Sequence, residues 1–151
     1  MIKQTNPRLS PEMNHFACAF DCAAYFREAY QGKPWMTEEL QTAWNDAIKS
    51  GIISGDLNHN GQLGDIAEEL VIQDWQKLVD FLGCNLKFLR RDKPGTADPE
   101  NFVIAEWFNP RTNFHHFVIG EKRPVEWDPI DDGSVTVREG YCLSIRIFEK
   151  L

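Results

Sequence analysis

Three residues in this chain have the types and order of a thiol-hydrolase centre: Cys18, His116 and Asp128. A thiol attacks a carbonyl only as the thiolate. A free cysteine titrates near pH 8.5, and a helix N-terminus or an adjacent imidazolium lowers this to between about 3.5 and 7.5. A histidine supplies that partner, and a carboxylate on the far ring nitrogen holds its orientation. Cys18 stands at the entry of a helical pattern, and His116 lies in the alternating stretch Phe114-His115-His116-Phe117-Val118-Ile119. Alternation puts Phe114, His116 and Val118 on one face of a strand and His115, Phe117 and Ile119 on the other, so only one of the two histidines can face the cleft. Asp128 follows one hairpin later and can reach His116 from the next strand. The bland alternatives are a core cysteine, a structural histidine and a turn aspartate before Pro129. Cys22, four residues into the helix, reads as core.

The elements that must place these groups follow from periodicity. Residues 17–31 have helical spacing and stop at Gly32 and Pro34. Thr37 caps a second helix, with Glu38 and Glu39 on its first-turn amides and Leu40, Ala43, Trp44, Ala47 and Ile48 as its apolar stripe. A third helix covers about 73–82 and ends at Gly83. Residues 1–13 read as an extended, polar lead-in. From Cys84 the period becomes two. Strands are expected at 86–90, 102–108, 114–119 and 143–148, with a five-residue turn at 109–113, a charged turn at 91–99 and an extended segment at 125–128. Helices followed by antiparallel strands make an α+β arrangement, read as one domain over residues 1–151.

Composition excludes several classes. The chain has 151 residues, 26% of them charged and 42% hydrophobic, enough for one sizeable core. A net charge of −7 argues against nucleic-acid and anionic-membrane partners. No apolar run approaches the roughly 18 residues of a membrane span. Without an export signal in view, a reducing cytoplasmic setting is expected, so Cys18, Cys22, Cys84 and Cys142 read as free thiols.

Two metal patterns compete. Asp56, Asn58, Asn60 and Gly61 match the opening of a calcium loop, but Ala67 stands where the bidentate Glu belongs. Cys18, Cys22, His115 and His116 would make a zinc set, but adjacent histidines on a strand point opposite ways. No cofactor or metal is therefore assigned, and a calcium-stabilised loop is kept as an alternative.

The stretch Cys18-Ala-Phe-Asp-Cys22-Ala-Ala-Tyr-Phe resembles the nucleophile helix of papain-like cysteine peptidases of the bacteriocin-leader-processing kind. His116-Phe-Val-Ile-Gly120 is similar to their His-Phe-Val-x-x-Gly strand, and Trp127-Asp128-Pro129 to their apolar-Asp-Pro segment. The ending Ser144-Ile-Arg-Ile-Phe148 is also similar to a small bacterial and phage family of uncharacterised function with this fold. The resemblance implies a papain-like domain acting on a peptide or protein substrate, with Cys18 as nucleophile, His116 as general base and Asp128 as its orienter. It departs in two places. Ala19-Phe20 replaces the family's Gly-Pro, and Glu12 stands where those peptidases carry the Gln that donates to the oxyanion. Ionised Glu cannot donate. Asn14 is the replacement donor, alongside the Cys18 backbone N–H. Phe20 and Glu12 favour the alternative function, an inactive papain-like module that binds a peptide or partner.

Overall fold

The computed structural model describes residues 1–131 and 134–151. The expected extended lead-in is partly helical. Ser10 accepts from the Met13 N–H and Pro11 opens a short helix, α1 (Pro11–Phe16); a proline costs nothing there because its missing N–H would be unpaired in any case. Ala17 breaks the helical geometry (φ −86°, ψ 10°), and α2 (Cys18–Gln31) starts directly after it. That break makes Cys18 the first residue of a 14-residue helix. Gly32 ends α2 in the left-handed region, at φ 64°, where glycine carries no Cβ penalty.

Helix α3 (Thr37–Lys49) begins one residue earlier than expected. Thr37 is its first helical residue and the extended Met36 is the cap, so the Thr37 side chain makes no capping bond. A loop follows, tied by the isolated bridge between Ile53 and Ile72. Helix α4 (Trp75–Phe81) is capped by Asp74, whose carboxylate accepts from the Lys77 N–H.

Four strands form one antiparallel sheet: β1 (Leu86–Asp92), β2 (Phe102–Asn109), β3 (Phe114–Val118) and β4 (Tyr141–Lys150), in the order β1-β4-β2-β3. A short helix, α5 (Val135–Glu139), precedes β4 and had no counterpart in the periodicity. Three strands are longer than expected, β2 by the single residue Asn109. Arg91 and Asp92 continue β1 because Arg146 and Ile145 of β4 pair with them. Central β4 has a partner on either side and is extended over ten residues. The β2–β3 turn is tighter than expected, because Asn109 pairs with Phe114 and leaves residues 110–113 as the connection, with Asn113 left-handed at φ 60°. The segment at 125–128 joins the edge of β3 through a single bridge, Ile119 with Trp127.

The two sheet faces have separate cores. Phe102, Ile104, Phe117 and Phe148 face the helices, with the Phe26 ring 5.8 Å from Phe102 and 5.7 Å from Phe148. Phe20 meets Trp44 of α3 edge-on at 5.3 Å. The other face carries Ala105, Trp107, Val118, Ile145 and Ile147 and is closed by Val137 of α5. Helix α2 lies against β3, which is why a residue at its start can meet a residue on that edge strand.

Candidate active site

β3 carries His116 opposite Trp107 of β2. Its face turns inward, so the His116 side chain is only 5% exposed, whereas that of its neighbour His115 is 50% exposed. The bridge from Ile119 to Trp127 brings the next segment alongside, which places Asp128 within reach. His116 Nε2 and Asp128 Oδ1 are 2.7 Å apart. With Nε2 so engaged, Nδ1 is left for the thiol. The Cys18 sulfur lies near enough to the ring to help raise its pKa, although no hydrogen bond of ordinary geometry joins the two. The structure thus brings Cys18, His116 and Asp128 together, from α2, β3 and the segment after it.

Electrostatics follow from that geometry. Burial by itself would lower the His116 pKa, but the Asp128 hydrogen bond, followed by the Cys18 sulfur, outweighs it and lifts the imidazole to about 9. His116 is therefore an imidazolium at neutral pH. Asp128 is fully buried. Burial would raise its pKa, yet His116, the Ser134 hydroxyl and the Ile130 N–H hold it below the usual carboxylate range. The Ile130 N–H donates to Oδ1 at 2.9 Å. Among the described residues Oδ2 makes no hydrogen bond of ordinary geometry, so Ser134 acts on the carboxylate less directly than Ile130 does.

Asn14 is placed differently from its expected role as an oxyanion donor. Both hydrogens of its amide are spent: Nδ2 donates to Gln4 O at 2.5 Å and to Asn6 O at 3.1 Å. The carbonyls of the N-terminal arm lie beside α1 and compete for the same donor. Glu12 sits in the first turn of α1, where its charge faces the helix N-terminus. Phe20 is 1% exposed and packed on Trp44, so it is a core residue and does not crowd the approach to Cys18. Cys22 is fully buried; burial first, then the Cys18 and Asp21 charges, push its thiol well up.

Periodicity did not single out three further groups. Asp21, fully buried one turn beyond Cys18, has both carboxylate oxygens without a hydrogen-bond partner among the described residues. Burial, then the Cys18 charge, pushes its pKa well up. Gln4 and Lys3 belong to the arm that lies along residues 128–130. No sequence signal could find Lys3 and Gln4, because their contacts lie more than a hundred residues away.

The zinc set is not assembled. His115 turns away from the thiol and shares a hydrogen bond across 2.8 Å with Glu106, which also accepts from Ser144 and Arg146, all on the helix-facing side of the sheet with Phe117 and opposite to His116. In the loop the Asp56 carboxylate accepts from the Asn60 and Gly61 N–H groups, and Glu69 accepts from Leu57 and Gly64. Among the described residues no group of three or more His, Cys, Asp or Glu side chains converges as a metal site. All four cysteines are free.

Fold and site together define an α+β protein with Cys18, His116 and Asp128 gathered where the start of α2 meets the edge of the sheet, the histidine and the aspartate buried and the thiol half-buried. The chain belongs to the family described as "Protein of unknown function, DUF261", whose model matches residues 1–150. No curated protein matches the chain, and no solved structure does.

Proposed function

We propose that this protein is a papain-like cysteine hydrolase acting on a peptide or amide bond. The observation that carries the reading is His116 held between Asp128 and Cys18, with one ring nitrogen 2.7 Å from the carboxylate and the other left for the thiol. An imidazolium beside a thiol at a helix start favours the thiolate. The Cys18 sulfur adds to the substrate carbonyl carbon. His116 then passes its proton to the leaving amine as the C–N bond breaks, leaving a thioester on Cys18. A water, deprotonated by His116, adds to that thioester; the C–S bond breaks and the carboxylic acid departs. The Cys18 backbone N–H, in the first turn of α2, has no intrahelical acceptor and is available to the oxyanion.

Iodoacetamide labelling with mapping of the modified cysteine tests the nucleophile. Cys18 is expected to react near neutral pH, and Cys18→Ala to abolish hydrolysis of a peptide library. Labelling of Cys18 no faster than Cys84 at pH 6, with hydrolysis unchanged in Cys18→Ala, overturns the reading.

The commitment of both Asn14 hydrogens favours a second reading, a peptide-binding module that does not turn over. Losing one oxyanion donor costs about 2.7–4 kcal/mol of barrier. A peptide vinyl sulfone separates the two. An adduct on Cys18 together with steady-state hydrolysis supports the enzyme. Saturable peptide binding with neither supports the module.

A further inference from the structure

The N-terminal arm links the start of the nucleophile helix to the segment that bears Asp128. On one side it runs along residues 128–130. Lys3 Nζ donates to Asp128 O at 2.5 Å, Gln4 N to Pro129 O at 2.8 Å and Thr5 Oγ1 to Ile130 O at 3.3 Å. On the other side it is gripped by Asn14. Asn14 Nδ2 donates to Gln4 O and Asn6 O, and Gln4 Nε2 donates back to Asn14 O at 3.0 Å. Asn14 lies in α1, four residues before Cys18.

The chemistry of Gln4 points beyond packing. It is 1% exposed, among the most buried side chains of the molecule. Glutamine is mostly found at surfaces, and ordering its side chain costs entropy. Among the described residues its Oε1 is buried without a hydrogen-bond partner, and such an atom costs about 1–3 kcal/mol. A residue kept for stability would not leave that penalty standing. What the arrangement secures is the backbone at 128–130, and the Ile130 N–H of that same stretch fixes the Asp128 carboxylate.

We propose that Asn14 is a positioning residue of the thiol centre: by holding Gln4 against Pro129, it sets the Asp128 carboxylate in line with His116. This rests on the thiol-hydrolase reading and replaces the oxyanion role for Asn14. The charged groups that bear on His116 are the Asp128 carboxylate from the segment beyond β3 and the Cys18 thiol from α2; Lys3 bears on the Asp128 backbone from the arm.

The two roles for Asn14 differ in one readout. An oxyanion donor acts only on the transition state, whereas a positioning residue also changes His116 in the resting protein. Histidine ring NMR of the full chain, with His116→Gln to assign the signal, follows the His116 midpoint in wild type, Asn14→Ala and Gln4→Ala. The wild-type midpoint is expected near 9. In Asn14→Ala it should fall by about one unit, the size of a weakened charge pair, with kcat lowered and KM little changed. Gln4→Ala keeps every backbone contact of the arm and should shift the midpoint in the same direction by less. It carries the test if Asn14→Ala fails to fold. A wild-type midpoint near 9 that is unchanged in the folded variants overturns the positioning role and leaves the hydrolase reading standing. A wild-type midpoint at the ordinary histidine value means that Asp128 is not set against His116 and overturns the positioning role, while the hydrolase reading stands or falls by Cys18 labelling and Cys18→Ala.

Discussion

At the scale of single residues, the site is a set of buried ionisable groups whose charges depend on one another. Cys84 is pushed up to about 12 by burial, despite Arg27 nearby, and Cys142 to about 11, again mainly by burial. Neither forms thiolate at neutral pH, so native-state alkylation should concentrate on Cys18. His116→Ala removes the imidazolium and should slow both Cys18 alkylation and hydrolysis by about 10²-fold or more, read by mass spectrometry and steady-state kinetics. Asp21 makes the opposite demand on the fold. Its pKa is raised, so the native state holds a proton that the unfolded chain gives up above its ordinary carboxylate range. Stability therefore falls as pH rises past that range. Asp21→Asn cannot ionise and is expected to raise the melting temperature at neutral pH and to flatten its pH dependence between about 4 and 7. Equal pH dependence in the variant would refute this.

At the scale of elements, the Ala17 break matters most. A continuous helix over residues 11–31 would bury the Cys18 N–H in the hydrogen-bond ladder and remove the dipole from the thiol. The break restarts the helix at Cys18. The junction between α5 and β4 is equally constrained. A Cβ at Gly140 would lie 2.3 Å from the carbonyl oxygens of both Phe108 and Thr136, and neither backbone can give way cheaply. Gly140→Ala is expected to cost about 1–3 kcal/mol, measured by urea denaturation. Because α5 covers the face of the sheet that carries Trp107 and Val118, the same change should also perturb His116, which pairs with Trp107.

At the scale of the whole molecule, α2 is the element on which both the core and the site depend. Phe26 reaches Phe102 and Phe148 across the layer. Phe26→Ala should destabilise the fold by about 3–5 kcal/mol in chemical denaturation and lower hydrolysis with it, since α2 carries both Phe26 and Cys18. The overall pH response follows from the site. His116 titrates near 9 in the folded chain, against an ordinary histidine value of 6.5. Its contribution is complete below the unfolded value and is lost as pH rises through the folded one. Asp128 is lowered, so its contribution is present above the ordinary carboxylate value and is lost as pH falls. Differential scanning fluorimetry should show the melting temperature declining from about pH 7 to pH 10, with the decline reduced in His116→Ala. Among the described residues no helix is long and apolar enough to cross a membrane.

What the sequence determined by itself was local and periodic. Helical spacing located α2 and its Gly32 stop, alternation located the strands and separated His115 from His116, and residue type and order singled out Cys18, His116 and Asp128. These are readable because they depend on neighbours within a few positions. The lead-in helix α1 was hidden, since a six-residue helix shows too little period, although Ser10-Pro11 is a start signal. The ends of β1 and β4 were hidden because pairing, rather than propensity, supplies their hydrogen bonds. Helical spacing put Phe20 on the core side and Asp21 on the outer side of α2; only the tertiary structure decided that Asp21 is buried, that Asn14 spends its amide on the arm, and that Asp21 and Gln4 lack full partners among the described residues. The reason is one of range. The charge state and free hydrogen bonds of a buried group depend on whatever the fold sets against it, and here those groups come from opposite ends of the chain.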